Sequence, residues 1–492
     1  MTLNNKTGVF NLVLYGHLPY LRPGYDTAKE SWLFEALTSS YLPLIRALKR
    51  LAWDNVPFSL SLVLSPTLIS LLNNHELQEK YHQYLKESLL LTEGNPAPAG
   101  GDSWGQSRAN FHYNHLNEAL KQFKLCNGNI FNEFIALRNS GHLEFVASAA
   151  TTAFMPLFQF HEYALRPQLD IAVKQHEQLL GEKPQGFWLP HCGYYNGLEK
   201  LLEEYDIKYF YTASHALLYA NEAPLSGTYR PVMVKGSNVA AFSRDRASTN
   251  EIWKNESKLA YLKYNNENEQ LLDDTEKVLA LVKEQATIFS QRRLNQFKAA
   301  KALMGSKSPL ITTVLDLEFL GQWGAAGSYF LEEVVLALAK ADDIICATAK
   351  NYLQQFHNLQ QLEITSSSWG EEDSYNQFWL DKKNAWLLPH LYKMIERMHD
   401  IAARFSDATS IKKHMLNQAA REVLLAMNSD LPLMLKAQVN EELAMEELSR
   451  HFDNFYQIYK SICSNKINID WLANDNKEYN FFDEFIDYRR FI

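Results

Sequence analysis

The sequence predicts an α/β barrel of about seven strands, followed by an all-helical C-terminal region. Three observations predict it. Short apolar runs end repeatedly in polar or turn residues, stretches of helical spacing separate most of them, and the strand pattern stops near residue 385. The runs are Phe10–Tyr15 before Gly16-His17, Phe58–Leu64 before Ser65-Pro66, Leu143–Ala147, Gly186–Leu189 before Pro190-His191, Ile207–Thr212 before Ser214-His215, Asn238–Phe242 before Ser243-Arg244-Asp245, and Leu310–Leu315 before Asp316. Strand–helix alternation reads as βαβ units and a parallel sheet, and about seven such units suit a closed or nearly closed barrel better than an open sheet. In a barrel the chemistry gathers at the C-terminal strand ends. His17, His191, His215, Asp245 and Asp316 all fall at or just past such ends.

Two inserts interrupt the alternation. Residues 92–110 are rich in Gly, Pro, Asn and Ser and read as an exposed loop, whereas about 249–306 are polar and helical. Beyond about 385, Leu391–Phe405, Ile411–Met427 and Glu441–Ile462 carry helical spacing, with Ser429-Asp430-Leu431-Pro432 punctuating them. The expected division is therefore a barrel domain over 1–385 and a helical domain over 386–492.

The 492 residues, 46% of them hydrophobic, can bury a core of that size, and a charged fraction of 21% does not suggest disorder. A net charge of −9 gains nothing from phosphate counterion release, so nucleic acid is not the expected partner and a neutral substrate fits better. Aromatic residues make up 13%; flat rings suit the apolar faces of sugars, but a large core also uses them. Cys126, Cys192, Cys346 and Cys463 lie far apart with no CxxC pair, which is compatible with a reducing compartment. The apolar stretch Phe10–Tyr20 is too short to span a bilayer and is broken by Gly16, His17 and Pro19. A cytoplasmic protein without membrane contact is expected. A metal could be held by His17, His191, His215 and Asp245, but no compact ligand signature links them, and His112 and His115 sit in the polar insert. No metal or cofactor is expected.

Polar groups that a barrel would gather come in ordered segments. They are His17-Leu18-Pro19; Gly141-His142-Leu143-Glu144 with Thr151-Thr152-Ala153; Trp188-Leu189-Pro190-His191-Cys192-Gly193-Tyr194; Asp316 to Trp323; and Ser366 to Glu372 with Trp379 and Trp386. In this order they resemble the motif series of glycoside hydrolase family 57, and within it the α-glucan branching-enzyme branch. Trp32–Leu44, Leu64-Ser65-Pro66-Thr67 and Arg421–Leu425 with Ser429-Asp430 extend the resemblance through most of the chain. The resemblance implies a distorted TIM-type (β/α)7 barrel, a helical C-terminal domain and an α-glucan or maltooligosaccharide substrate. It also implies double displacement with retention, a route that needs two carboxyl groups roughly 5–5.5 Å apart.

By that resemblance Asp316 takes the acid/base position, and His17, Trp188, Tyr194, Trp323 and Trp369 the substrate side. Core packing is the rival reading for the three tryptophans, Glu371 and Glu372 read equally as solvated loop charges, and Arg421 and Glu422 read as structural. Four departures cluster. Where the family reads Trp-Leu-x-Glu-Cys-x-Tyr, the glutamate nucleophile is His191. Thr152 replaces the histidine of Thr-His-Ala, Gln322 and Gly324 interrupt Gly-His-Trp-Trp, and Leu431 replaces the tryptophan of Ser-Asp-Trp. An imidazole does not stabilise an oxocarbenium-like transition state as a carboxylate does, and removal of a nucleophile costs on the order of 10⁶ in kcat in a protease. Two functions are therefore expected as alternatives: an α-glucan transglycosylase or hydrolase with rerouted chemistry, drawing on Asp245, Glu318, Glu371 or Glu372, or a catalytically inactive paralogue that binds α-glucan.

Overall fold

A computed structural model describes residues 8–94, 103–253, 275–305, 307–321, 325–341, 343–369, 376, 379–465 and 481–492. Its centre is one ten-stranded sheet: β1 (Gly8–Gly16), β2 (Leu60–Leu64), β3 (Leu143–Ser148), β4 (Gly186–Trp188), β5 (Tyr209–Thr212), β6 (Val232–Val234), β7 (Ala240–Ser243), β8 (Leu310–Asp316), β9 (Ile344–Cys346) and β10 (Gln361–Leu362). The spatial order is β10-β6-β7-β5-β4-β3-β2-β1-β8, with β9 also paired to β1. Within it β7, β5, β4, β3, β2, β1 and β8 run mutually parallel, and these coincide with the runs read from sequence. The expected strand count was short by three. β6 pairs antiparallel to β7 at one edge, and β9 and β10 are three and two residues long.

The strands are apolar throughout because both of their faces are covered. All nine residues of β1, GVFNLVLYG, are buried, the pattern of a parallel strand between helices and a filled interior. Tyr15, Val63, Val146, Trp188, Tyr209, Tyr211, Phe242 and Val314 fill the inside. Asn11 is the polar exception, and its Nδ2 donates to the Tyr211 hydroxyl at 3.2 Å, so the buried amide is satisfied. The sheet curls far enough for the two ends of the parallel run to touch: the amide of Asp245, just past β7, donates to the Thr312 carbonyl of β8 at 2.7 Å.

The expected loop over 92–110 is narrower than read. One helix runs to Gly94 and another spans Ser103–Leu125, while 95–102 lie outside the described residues. The polar insert forms helices at Arg246–Trp253 and Thr275–Met304. The C-terminal region holds helices at Leu387–Arg404, Ser410–Ala426, Asp430–Ala437 and Glu441–Ser464. In the first of these Leu391, Met394, Ile395, Met398, Ile401 and Ala402 are buried at three- and four-residue spacing, one apolar stripe turned to the core. Ser429–Pro432, expected as punctuation, instead opens the Asp430–Ala437 helix.

These helices dock on the C-terminal mouth of the barrel. Ala153 and Asn428 form an antiparallel bridge, the Thr151 hydroxyl donates to the Leu424 carbonyl at 2.6 Å, and the Tyr392 hydroxyl donates to the Leu157 carbonyl at 2.7 Å. A buried ion pair of Lys29 with Glu447 ties the first helix (Thr27–Ala36) to the last long one. No helix among the described residues is long and apolar enough to cross a membrane.

Candidate active site

Strand ends bring the predicted residues together. In register Tyr15 of β1 pairs with Asp316 of β8, so His17, two residues on, leaves the sheet beside the end of β8. Asp316 caps the short helix Leu317–Gly321, its Oδ1 accepting from the Phe319 amide at 2.7 Å. Glu318 turns back: Oε1 accepts from the His17 amide at 3.1 Å and from the Tyr41 hydroxyl. Burial raises the proton affinity of both acids, and that of Glu318 goes well above the carboxylate range because the neighbouring charge of Asp316 adds to it. A carboxyl group that keeps its proton to higher pH is suited to general-acid work.

The position expected to carry the nucleophile follows β4. After β4 the chain turns through Pro190-His191-Cys192, with His191 at φ 56° and Cys192 at φ 53°. Thr152, in the facing loop, is also left-handed at φ 51°. Left-handed backbone at three non-glycine residues costs roughly 1–3 kcal/mol each and persists where surrounding structure imposes it, commonly at functional sites. The His191 ring points into the mouth. Its Nε2 lies 2.7 Å from the Ser429 hydroxyl oxygen, and that hydroxyl donates to the Thr152 carbonyl at 2.6 Å. Trp379, Trp369 and Phe154 enclose the ring at centroid distances of 4.9, 5.8 and 6.3 Å. Burial in this aromatic box pushes the His191 pKa down to about 4, with the nearby Asp430 only partly offsetting it, so the imidazole is neutral at pH 7.

A third carboxylate enters from the helical region. Asp430 Oδ2 lies 2.7 Å from Nε2 of His17, and the Thr152 hydroxyl sits 3.0 Å from the same nitrogen. Nδ1 of His17 faces the Ser65 hydroxyl at 2.8 Å. Burial works against the charge on Asp430, but the His17 imidazole outweighs it and holds this carboxyl below its ordinary pKa. Sequence reasoning noted Ser429-Asp430 as a motif remnant and did not weigh the aspartate. The intact Asp beside a lost tryptophan was the available signal.

Other expectations need correcting. Trp188 is 0% exposed and Tyr194 1%, so neither ring has surface to offer a sugar. Trp188 fills the barrel interior against Tyr15 and Tyr211, and Tyr194 stacks on Phe210 while donating to Glu199 at 2.7 Å. Trp369 remains partly exposed at the mouth. Trp323, Glu371 and Glu372 lie outside the described residues. Asp245 serves as a helix cap, accepting from the Ser248 amide at 2.7 Å and from Gln296 at 2.9 Å, and His215 is buried in a separate short helix. Arg421 and Glu422 are buried among the C-terminal helices, where Glu422 contacts His451 at 2.7 Å and Arg421 pairs with Asp483.

A parallel sheet capped by helices agrees with the comparisons to known proteins. The glycosyl hydrolase family 57 model matches residues 11–366. The chain belongs to glycosyl hydrolase family 57. A second model, 1,4-alpha-glucan branching enzyme, C-terminal, matches residues 390–491 of this family-57 chain. A 1,4-alpha-glucan branching enzyme from Thermococcus kodakarensis is 25% identical over 503 residues, covering 92% of this chain and 73% of the relative. Among solved structures, an alpha-amylase from Thermotoga maritima superposes with a TM-score of 0.87 at 27% identity, over 98% of this chain and 99% of that one. The family-57 branching enzyme from Pyrococcus horikoshii has the same fold, with a TM-score of 0.89 at 24% identity over 99% and 97%.

Proposed function

We propose that this family-57 chain acts on α-glucan, cleaving or transferring α-linked glucose chains at the C-terminal mouth of the barrel, with Asp316 as the acid that protonates the departing sugar oxygen. The parallel run of seven strands serves as the (β/α)7 barrel of that reading. One observation carries it: Asp316 ends β8 in a buried setting that raises its proton affinity, and His17 acts on both it and His191, in the turn where the resemblance places the second catalytic group. The relatives named above are branching enzymes and an amylase, and they give a binding-only paralogue no support. His17 and the open side of Trp369 are the sugar contacts proposed among the described residues, and Trp323 is a further one by motif. All four cysteines are unpaired, in keeping with the proposed cytoplasmic setting.

The test is incubation of the purified chain with amylose, followed by reducing-end release and by the chain-length profile after debranching. Turnover by the wild-type chain, lost in Asp316→Asn with the melting temperature unchanged, is the expected result. Absence of turnover on every α-glucan tried, or full activity in Asp316→Asn, would overturn the proposal.

A further inference from the structure

The residue at the nucleophile position is a neutral imidazole tied to Ser429, so the site needs another group to deal with the attacking oxygen. Three acids lie near Tyr15 at this mouth. Asp316, Glu318 and Asp430 all act on the buried hydroxyl of Tyr15, whose proton affinity is raised by burial first and then by each of them. Glu318 cannot serve as a base. It accepts from the Tyr41 hydroxyl and the His17 amide, and burial and the Asp316 charge raise its proton affinity well above the carboxylate range. Asp245 is occupied as a helix cap.

Asp430 differs from both. It stands at the first turn of the Asp430–Ala437 helix, directly after the serine that touches His191. His17 Nε2 grips its Oδ2 at 2.7 Å, and 21% of its side chain is exposed. The backbone of His17 contacts the Glu318 turn that follows Asp316, and its ring contacts Asp430. His17 therefore lies between Asp430 and the turn that follows Asp316. Carboxyl groups spaced to admit a water, roughly 6.5–9.5 Å apart, belong to single displacement, and closer pairs to double displacement.

We infer that Asp430 is the second carboxylate of the reaction, a general base that takes the proton of an attacking water while Asp316 protonates the departing sugar oxygen, so that cleavage runs in one step with inversion at C1. This rests on the α-glucan reading above and narrows it to hydrolysis. The water oxygen forms the new bond to C1 as the C1–oxygen bond to the leaving chain breaks. One water proton ends on Asp430 and the Asp316 proton ends on the leaving oxygen; exchange with solvent resets both. The neutral imidazole of His191 packs beside the sugar without placing a cation next to its developing positive charge. The two acids also divide as such a pair requires: burial raises the proton affinity of Asp316, whereas the His17 imidazole outweighs burial and lowers that of Asp430.

Proton NMR of maltoheptaose digestion, read before mutarotation, tests the inference. The first new reducing ends are expected to be β, and Asp430→Asn, with unchanged melting temperature, is expected to lose about 10²–10⁴-fold in kcat with KM nearly constant and to lose the acidic limb of the pH profile. Active wild-type protein that releases α ends first, or an Asp430→Asn variant with wild-type kcat, overturns the role of Asp430 and leaves the α-glucan reading standing. Wild-type protein with no turnover at all overturns both.

Discussion

Acid should destabilise this fold through His191, and removing that imidazole should remove its share of the effect. The ring is neutral in the folded chain because burial pushes its pKa down to about 4, while in an unfolded chain it titrates near 6.5. Above pH 7 both states are neutral and the histidine contributes nothing. As the pH falls from about 6.5 to 4 the unfolded chain binds a proton that the folded chain refuses, so stability is lost over that window. The difference between those two values makes the loss at pH 4.5 on the order of 2–3 kcal/mol. Asp430, held below its ordinary pKa by His17, keeps its charge down to the acidic end of that window and does not mask the effect. His191→Gln can still reach the Ser429 hydroxyl but cannot titrate. Urea unfolding at pH 7.0 should find the two proteins within about 1 kcal/mol. At pH 4.5 the variant should be the more stable by about 2–3 kcal/mol, and His176, also pushed down to about 4, should retain its own acid loss in both. Equal acid sensitivity in the two proteins would mean that the ring is solvated or already protonated, and the electrostatic account of the mouth would be wrong.

Three further outcomes follow from the packing. Glu447→Ala leaves Lys29, 5% exposed, without its counter-charge and should cost roughly 3–5 kcal/mol; a shift in denaturant midpoint worth less than about 1 kcal/mol would show that the pair is solvated. Trp379 is buried and stacked on Phe154 at 3.7 Å, so Trp379→Ala should destabilise by about 3–5 kcal/mol in thermal melts, and an unchanged melting temperature would contradict that packing. In Gly193→Ala the new methyl would lie 2.6 Å from the Phe154 ring; a loss of about 1–3 kcal/mol with altered tryptophan fluorescence is expected, and a silent substitution would mean that the ring has room to retreat.

The parallel run was legible because each strand is buried on both faces and therefore reads as an unbroken apolar stretch, β1 most clearly. β6, β9 and β10 were not, since two or three residues carry no periodicity and exist only because a neighbouring strand offers a free edge. Asp316, His191 and His17 could be named from motif and strand end alone. Trp188 and Tyr194 could not be sorted from their neighbours, because strand residues beside a catalytic turn alternate between the packed interior and the mouth, and sequence does not say which ring carries an open face. Asp430 was visible only as half of a motif. Its partner His17 lies 413 residues away, and nothing local in either segment foretells that contact.

The mouth of the barrel is finished by helices that are synthesised after every strand of its sheet. Asp430 and Ser429 reach His17 and His191 only after the C-terminal helices have formed and docked. A ribosome-bound intermediate with a complete sheet would still lack one wall of its cleft, so any activity should switch on late and all at once. Shaving those helices away should silence the protein even if the sheet survives intact.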